Sequence, residues 1–168
     1  NEGESYFLSV VAKNSLGNSE PTEMLGIVPS NNDVNVLIVN GFDRVSGTNN
    51  TFDFIRQHGS AFNNHGQAFD AASNEAVVSQ QIDILDYQFV DWILGEEGTS
   101  TSVFSYSEQN LISTYLESGR FLFISGSEIG YDLEDQGSTT DRDFYQNYLK
   151  ADYISDAAGG HAGVYSGY

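Results

Sequence analysis

Three apolar runs constrain this chain more than anything else in it. They are Val34 to Val39, Gln88 to Leu94 and Arg120 to Ser125, and each is followed within two residues by glycine, at Gly41, Gly95 and Gly126. Runs that do not alternate polar with apolar suit strands buried on both faces, as central strands of a parallel sheet are. Parallel neighbours need long crossovers between them, usually helices.

The stretches between the runs carry helix signals. Asn50 or Thr51 is placed to cap a helix with Phe54, Ile55, His58 and Phe62 on one side, ended by Gly66. Ala68-Phe69-Asp70 reads as a short strand, and Asn74 to Gln81 as a helix or turn. Ser105-Tyr106-Ser107-Glu108 has the capping-box spacing and opens a helix carrying Leu111, Ile112, Tyr115 and Leu116, with Gly119 at its end. Thr140 or Asp141 is expected to cap a last helix with Phe144, Tyr145, Tyr148 and Leu149. Strands alternating with helices predict an α/β fold, a doubly wound, mainly parallel sheet over residues 31–168.

Residues 1–30 read differently. Ser5 to Ala12 is rich in β-branched and aromatic residues, Asn14 to Ser19 is a turn, Met24 to Val28 is a second strand, and Pro29 to Asn32 is a linker. The stretch YFLSVVAKNSLGNSEPTEMLGIVP, with its Tyr-x-x-x-Val-x-Ala-x-Asn-x-x-Gly run, resembles the last two strands of a fibronectin type III module. The resemblance implies a β-hairpin remnant of a sandwich whose earlier strands lie upstream. The α/β domain is likewise expected to continue past Tyr168.

Charge narrows the partners. The 168 residues include 24 acidic and 6 basic ones, a net charge of −18. Nucleic acid is disfavoured, because its binding needs Lys and Arg to displace counterions. Anionic membranes and polymers are disfavoured for the same reason unless calcium bridges them. The chain has no cysteine, so thiolate chemistry, disulfides and Cys-based zinc sites are excluded. No direct membrane insertion is expected, and no cofactor is implied. Low lysine, abundant Tyr and Phe and runs of Asn, Ser, Thr and Gly point to an extracellular or bacterial cell-surface protein whose signal peptide lies upstream.

In open parallel sheets ligands bind at the carboxyl ends of the strands. That rule selects Asn40-Gly41-Phe42-Asp43-Arg44, Gly95-Glu96-Glu97-Gly98 and Ser125-Gly126-Ser127-Glu128-Ile129-Gly130. The third is a strand, a tight turn and a helix start, the layout of a nucleophile elbow. TYLESGRFLFISGSEIGYDL, with VLIVNGFDR, SNEAV, VDWILGEE and FYQNYLKADY, resembles the class I glutamine amidotransferase-like, flavodoxin-like fold. It also resembles a domain beside fibronectin modules in secreted Bacteroidetes-type multidomain proteins labelled xanthan lyase or N-acetylmuramoyl-L-alanine amidase. This implies a catalytic position at the turn, with Ser127 and Glu128 as candidates. The run departs from the elbow pattern by centring Glu128 between its glycines, with Ser127 one residue off. A serine without a base is a poor nucleophile. The alternative role for both residues is to satisfy backbone N–H groups at the helix start.

Asn40, Asp43, Arg44, His58 and Glu75 are the candidate ligand-binding residues. His58 reads either as a base or as a packed histidine, and Asp43 with Arg44 as an ion pair shaping a loop. Asp132, Glu134 and Asp143 fall near calcium-loop positions, a candidate calcium site, although position twelve is Asp rather than Glu. Trp92 is expected in the core, and Tyr87, Tyr106, Tyr131 and Tyr153 at the surface, where a flat ring can stack on a sugar. The function expected is a noncatalytic carbohydrate-binding or structural module that binds carbohydrate or organises neighbouring domains. The alternative is a hydrolase acting on glycan or cell-wall ester, amide or glycosidic linkages.

Overall fold

The computed structural model of the chain describes residues 3–42, 53–98 and 102–155. The core is a six-stranded sheet in the order β1-β4-β6-β5-β7-β8. Its strands are β1 (Tyr6–Leu8), β4 (Leu25–Ile27), β5 (Val36–Asn40), β6 (Asp70–Ser73), β7 (Phe89–Gly95) and β8 (Phe121–Gly126). The last four are parallel, each in register with its neighbour. Taken in chain order they run second, first, third, fourth across the sheet, an order compatible with a flavodoxin-like fold. The chain leaves β5 towards β6, then crosses back over β5 to reach β7, so direction reverses between β5 and β7.

The three apolar runs form three neighbouring parallel strands, β5, β7 and β8. All five residues of β5 are buried, as are Val90 to Leu94 of β7. Helices cover both faces. On one side α1 (Phe54–Asn64) packs Ile55 on Val36, Ile38, Phe69 and Ile93. On the other, α2 (Asn74–Val78), α3 (Tyr106–Glu117) and α4 (Thr139–Asn147) close over Leu37, Val39, Trp92 and Leu94. Trp92 is fully buried, as its place in a strand predicts.

The helix ends follow side-chain chemistry. Ser105 accepts from the Glu108 N–H while Glu108 accepts from the Ser105 N–H, the predicted capping box. The last helix starts earlier than the sequence reading has it. Ser138 is its cap, and Asp141 is the returning partner three residues on. That arrangement satisfies two otherwise orphaned N–H groups, whereas a cap at Asp141 would satisfy one. The expected first-helix caps, Asn50 and Thr51, lie outside the described residues, and Gly66 follows α1 with a φ of +70°. The short strand expected at Ala68–Asp70 is shifted to Asp70–Ser73, because Phe69 is spent in the core beneath Gly59 and beside Phe7.

The N-terminal segment forms a hairpin, but not a separate sandwich. Its strands β1 and β4 are antiparallel and extend the α/β sheet beyond β6, with Ile27 opposite Asp70 and the Val28 N–H donating to the Phe69 carbonyl at 2.9 Å. Gly26 allows the close fit, since a Cβ there would meet the Phe7 ring at 2.9 Å and Ile55 at 3.1 Å. Beyond this base, β2 (Lys13–Asn14) and β3 (Gly17–Asn18) form an exposed arm.

β8 is the exception to the expectation of strands buried on both faces. It is an edge strand among the described residues, and Phe121 and Phe123 are 63% and 51% exposed. Its apolar run is what a central strand carries, yet α1 lies over β4, β5 and β7 and leaves this side of β8 open.

Candidate functional site

A groove of about 860 Å³ opens at the carboxyl edge of the sheet, where strand order reverses. Each part of its wall comes from the end of a strand or the start of a helix. Gly41 follows β5, Asn74 and Glu75 open α2 after β6, Glu97 follows β7, and Tyr106 and Glu108 lie in the first turn of α3. The two helix starts converge because α2 and α3 pack side by side on one face of the sheet.

The groove wall is braced from behind. Asn74 Nδ2 donates to Glu108 Oε1 at 3.0 Å, and the Ser105 N–H donates to Glu108 Oε2 at 2.7 Å, so one carboxylate ties α2 to α3 and caps α3. Glu97 is buried, and its carbonyl accepts from Ser127 Oγ at 3.0 Å. Behind Gly41 stands the Trp92 indole. A Cβ on Gly41 would lie 2.4 Å from Nε1, so only glycine fits at this point. That N–H is fully buried and has no hydrogen-bond partner among the described residues.

The structure distributes the expected site residues unequally. Glu75 is in the groove and exposed. Asn40 is buried beside it, but its Nδ2 donates to Glu23 Oε2, tying the end of β5 to the N-terminal segment. Asp43 and Arg44 lie outside the described residues. His58 is elsewhere, on the α1 side of the sheet, where Nδ1–H donates to Asp91 Oδ2 at 2.7 Å. His58 is thus packed as the second reading has it, with its ring held over the middle of β7 rather than at the carboxyl edge with Glu75.

Ser127 and Glu128 follow β8, two strands away from Asn40. Their exposed side chains do not line the groove. The Ser127 N–H donates to the Gly95 carbonyl and its hydroxyl to Glu97, so this serine staples the β7 and β8 loops. Glu128 has a φ of +63°, a left-handed conformation uncommon outside glycine and found at the centre of sharp strand-to-helix turns. The turn after β8 carries a carboxylate at this left-handed residue.

The calcium loop does not form. Residues Tyr131–Asp135 make a single π-helical turn instead. Asp132 Oδ2 accepts from the Val103 N–H, Glu134 accepts from Gln146 Nε2 and the Tyr153 N–H, and Asp143 is exposed on α4. No group of three metal-ligating side chains gathers among the described residues. Burial raises the Asp132 carboxyl above its usual range; the Val103 bond lowers it and the nearby Asp141 raises it further.

Of the four tyrosines, Tyr106 is open, at 66% exposed, on the groove's rim. Tyr87 is half-buried, donating to Asp70 Oδ2 at 2.9 Å; burial first, then that bond and the nearby carboxylates push its hydroxyl well above the usual range. Tyr131 and Tyr153 pack edge to face on each other. A second cavity of about 330 Å³ lies under β8 between Leu122, Ile124, Tyr145 and Leu149, with no carboxylate or amide side chain in its wall among the described residues.

Sequence reasoning missed Asn74, Glu108 and Asp91 as site or buried polar residues. Asn74 and Glu108 open helices, and their convergence is a tertiary fact. Asp91 left a signal, a lone charge inside an apolar strand. Among the described residues no helix is long and apolar enough to cross a membrane. Comparison with known proteins finds no matching family model, no matching curated protein and no matching solved structure.

Proposed function

We propose that this chain is a noncatalytic module of a secreted or cell-surface, glycan-associated multidomain protein, and that it binds carbohydrate in the groove between α2 and α3. The observation that carries the reading is the rim of the groove. An exposed tyrosine ring stands beside the Asn74 amide and the Glu108 carboxylate, which hydrogen bonds hold in place, and the Glu75 carboxylate. Sugars offer an apolar ring face to the aromatic and hydroxyls to the polar groups. The glutamine amidotransferase-like resemblance, shared with domains of secreted multidomain proteins, supports the multidomain, extracellular setting. A binding screen on insoluble and soluble polysaccharides tests it. Retention of the wild type on at least one glycan, lost in Tyr106→Ala at unchanged melting temperature, is the expected outcome. No retention on any glycan would refute it.

A hydrolase is the second reading, favoured by the left-handed turn at Glu128. The base is its weak point. Among the described residues His58 is bonded to Asp91 on the α1 side, and His65 is exposed beyond α1. A serine nucleophile needs a neighbouring base, so Ser127→Ala and Glu128→Gln should leave any hydrolysis of ester, amide and polysaccharide substrates intact. A fall of orders of magnitude in either variant, with folding unchanged, would promote the enzyme.

A further inference from the structure

Among the described residues β8 ends the parallel side of the sheet, with β7 its one strand neighbour. Its sequence does little to protect that edge. Edge strands are ordinarily blunted by charge, proline, a bulge or a cover. Phe-Leu-Phe-Ile-Ser-Gly holds neither charge nor proline, and its one register shift against β7 falls at the far end, after Ser125.

The two faces of β8 are both apolar. On the α1 side Phe121 and Phe123 stand open. On the other side Leu122 and Ile124 line the cavity of about 330 Å³, whose far wall is Tyr145 and Leu149. The edge is a row of backbone groups and the cavity is a space for side chains, so the two are independent features. Together they are what strand addition uses: main-chain bonds for affinity and pockets for alternate side chains for specificity. A strand laid beside β8 would lie about 4.8 Å from it. Every second side chain would then fall on the cavity side, next to Leu122 and Ile124.

Charge selects the strand. Tyr148, in the cavity wall, donates to exposed Glu117 at 2.6 Å. Exposed Glu128 precedes Ile129 and exposed Asp152 follows Ala151, two more residues of that wall, against one nearby cation, Lys150. Arg120 is turned away, its guanidinium donating to the Leu85 carbonyl and to Ser118 Oγ. A second copy, itself at −18, meets like charge here, whereas a strand with basic ends meets opposite charge.

We propose that the β8 edge takes an extended segment of another protein, with alternate apolar side chains between basic ends, as a further strand of the sheet. This surface is separate from the groove between α2 and α3.

The test is fluorescence anisotropy of a labelled peptide, Lys-Lys-Val-Thr-Val-Thr-Val-Lys-Lys, titrated with the whole chain at about 0.15 M salt, where exposed charges are screened beyond roughly 8 Å. Saturable binding is expected. The same peptide with proline for its central valine should bind about tenfold or more weaker, a difference of about 1.4 kcal/mol, because proline has no N–H for the ladder. Phe123→Lys should weaken the peptide to a similar degree at unchanged melting temperature; if that variant melts lower, Phe123→Thr takes its place. Amide exchange of the complex should slow in Phe121–Gly126 and stay unchanged in Tyr6–Leu8, at the opposite edge. Equal binding of hexalysine or of the proline peptide would mean charge attraction only and would overturn the proposal. So would no binding, or binding without protection of β8. A chain that is dimeric by sedimentation and does not take up the peptide would assign the edge to a second copy and overturn it as well.

Discussion

Asp91, in the middle of the central strand β7, holds His58 of α1 at 2.7 Å, carboxylate Oδ2 to imidazole Nδ1. The aspartate is 2% exposed, and its other oxygen has no partner among the described residues. The pair joins α1 to the sheet.

Removing one member of a buried pair leaves the other uncompensated. Asp91 is buried while the His58 side chain is 24% exposed, so His58→Ala should destabilise the fold by about 1–3 kcal/mol, the cost of leaving a buried acceptor unsatisfied. Replacing both, as Asp91→Leu with His58→Leu, should restore most of that loss, because apolar residues of similar volume need no partner. Urea unfolding at constant m-value measures it. A His58→Ala cost below about 0.5 kcal/mol, within the range of ordinary surface substitutions, would show that the pair does not brace the sheet.

Tyr115 gives an alkaline limit to stability. Its hydroxyl donates to the carbonyls of Tyr87 and Phe121 at 3.2 Å each, and burial pushes it up to about 12 against the opposing pull of Arg120. Its unfolded value is about 10. A raised value in the folded state means that the stability it contributes is complete below pH 10 and is lost as pH rises towards 12. Urea midpoints at pH 9 and pH 11 should differ, and Tyr115→Phe should shrink the difference while costing about 1 kcal/mol at pH 9. An unchanged difference in the variant would assign the alkaline loss elsewhere.

The open side of β8 predicts association rather than instability. Phe121 and Phe123 project beside a strand that is at the sheet edge among the described residues, the arrangement that pairs with other chains unless charge or proline blocks it. Phe121→Lys with Phe123→Lys should move the melting temperature by no more than a few degrees and lower concentration-dependent association and dye binding. Sedimentation velocity over a tenfold concentration range decides it. A large loss of melting temperature would mean that these rings are covered in the folded chain.

Much of the fold was legible because burial on both faces writes itself into composition. Val36–Asn40 and Phe89–Gly95 carry continuous apolar runs, and the capping box at Ser105 and Glu108 is a local pattern that no distant contact is needed to form. The site was legible only in part. The rule that ligands sit at carboxyl ends of strands named the loop of Glu97, which lines the groove with Glu75. It also gathered Ser127 with Asn40, which β7 keeps apart, because the rule names an edge and not a position along it. His58 shows the other limit: its helical spacing gave the apolar face, while its carboxylate partner is 33 residues away.

The sequence by itself determined which segments are strands and which are helices, the acidic charge that narrows the partners, and the absence of thiol chemistry. These depend on residue type and spacing of a few positions. Only the tertiary structure decided that the N-terminal hairpin joins the sheet at β6, that β8 stands at the edge among the described residues, and that Asn74, Glu97 and Tyr106 share one groove. Each of these is a choice of neighbour between segments far apart in the chain. Strand order and helix packing settle such choices by the shape and burial of whole surfaces, which no local pattern of residues encodes.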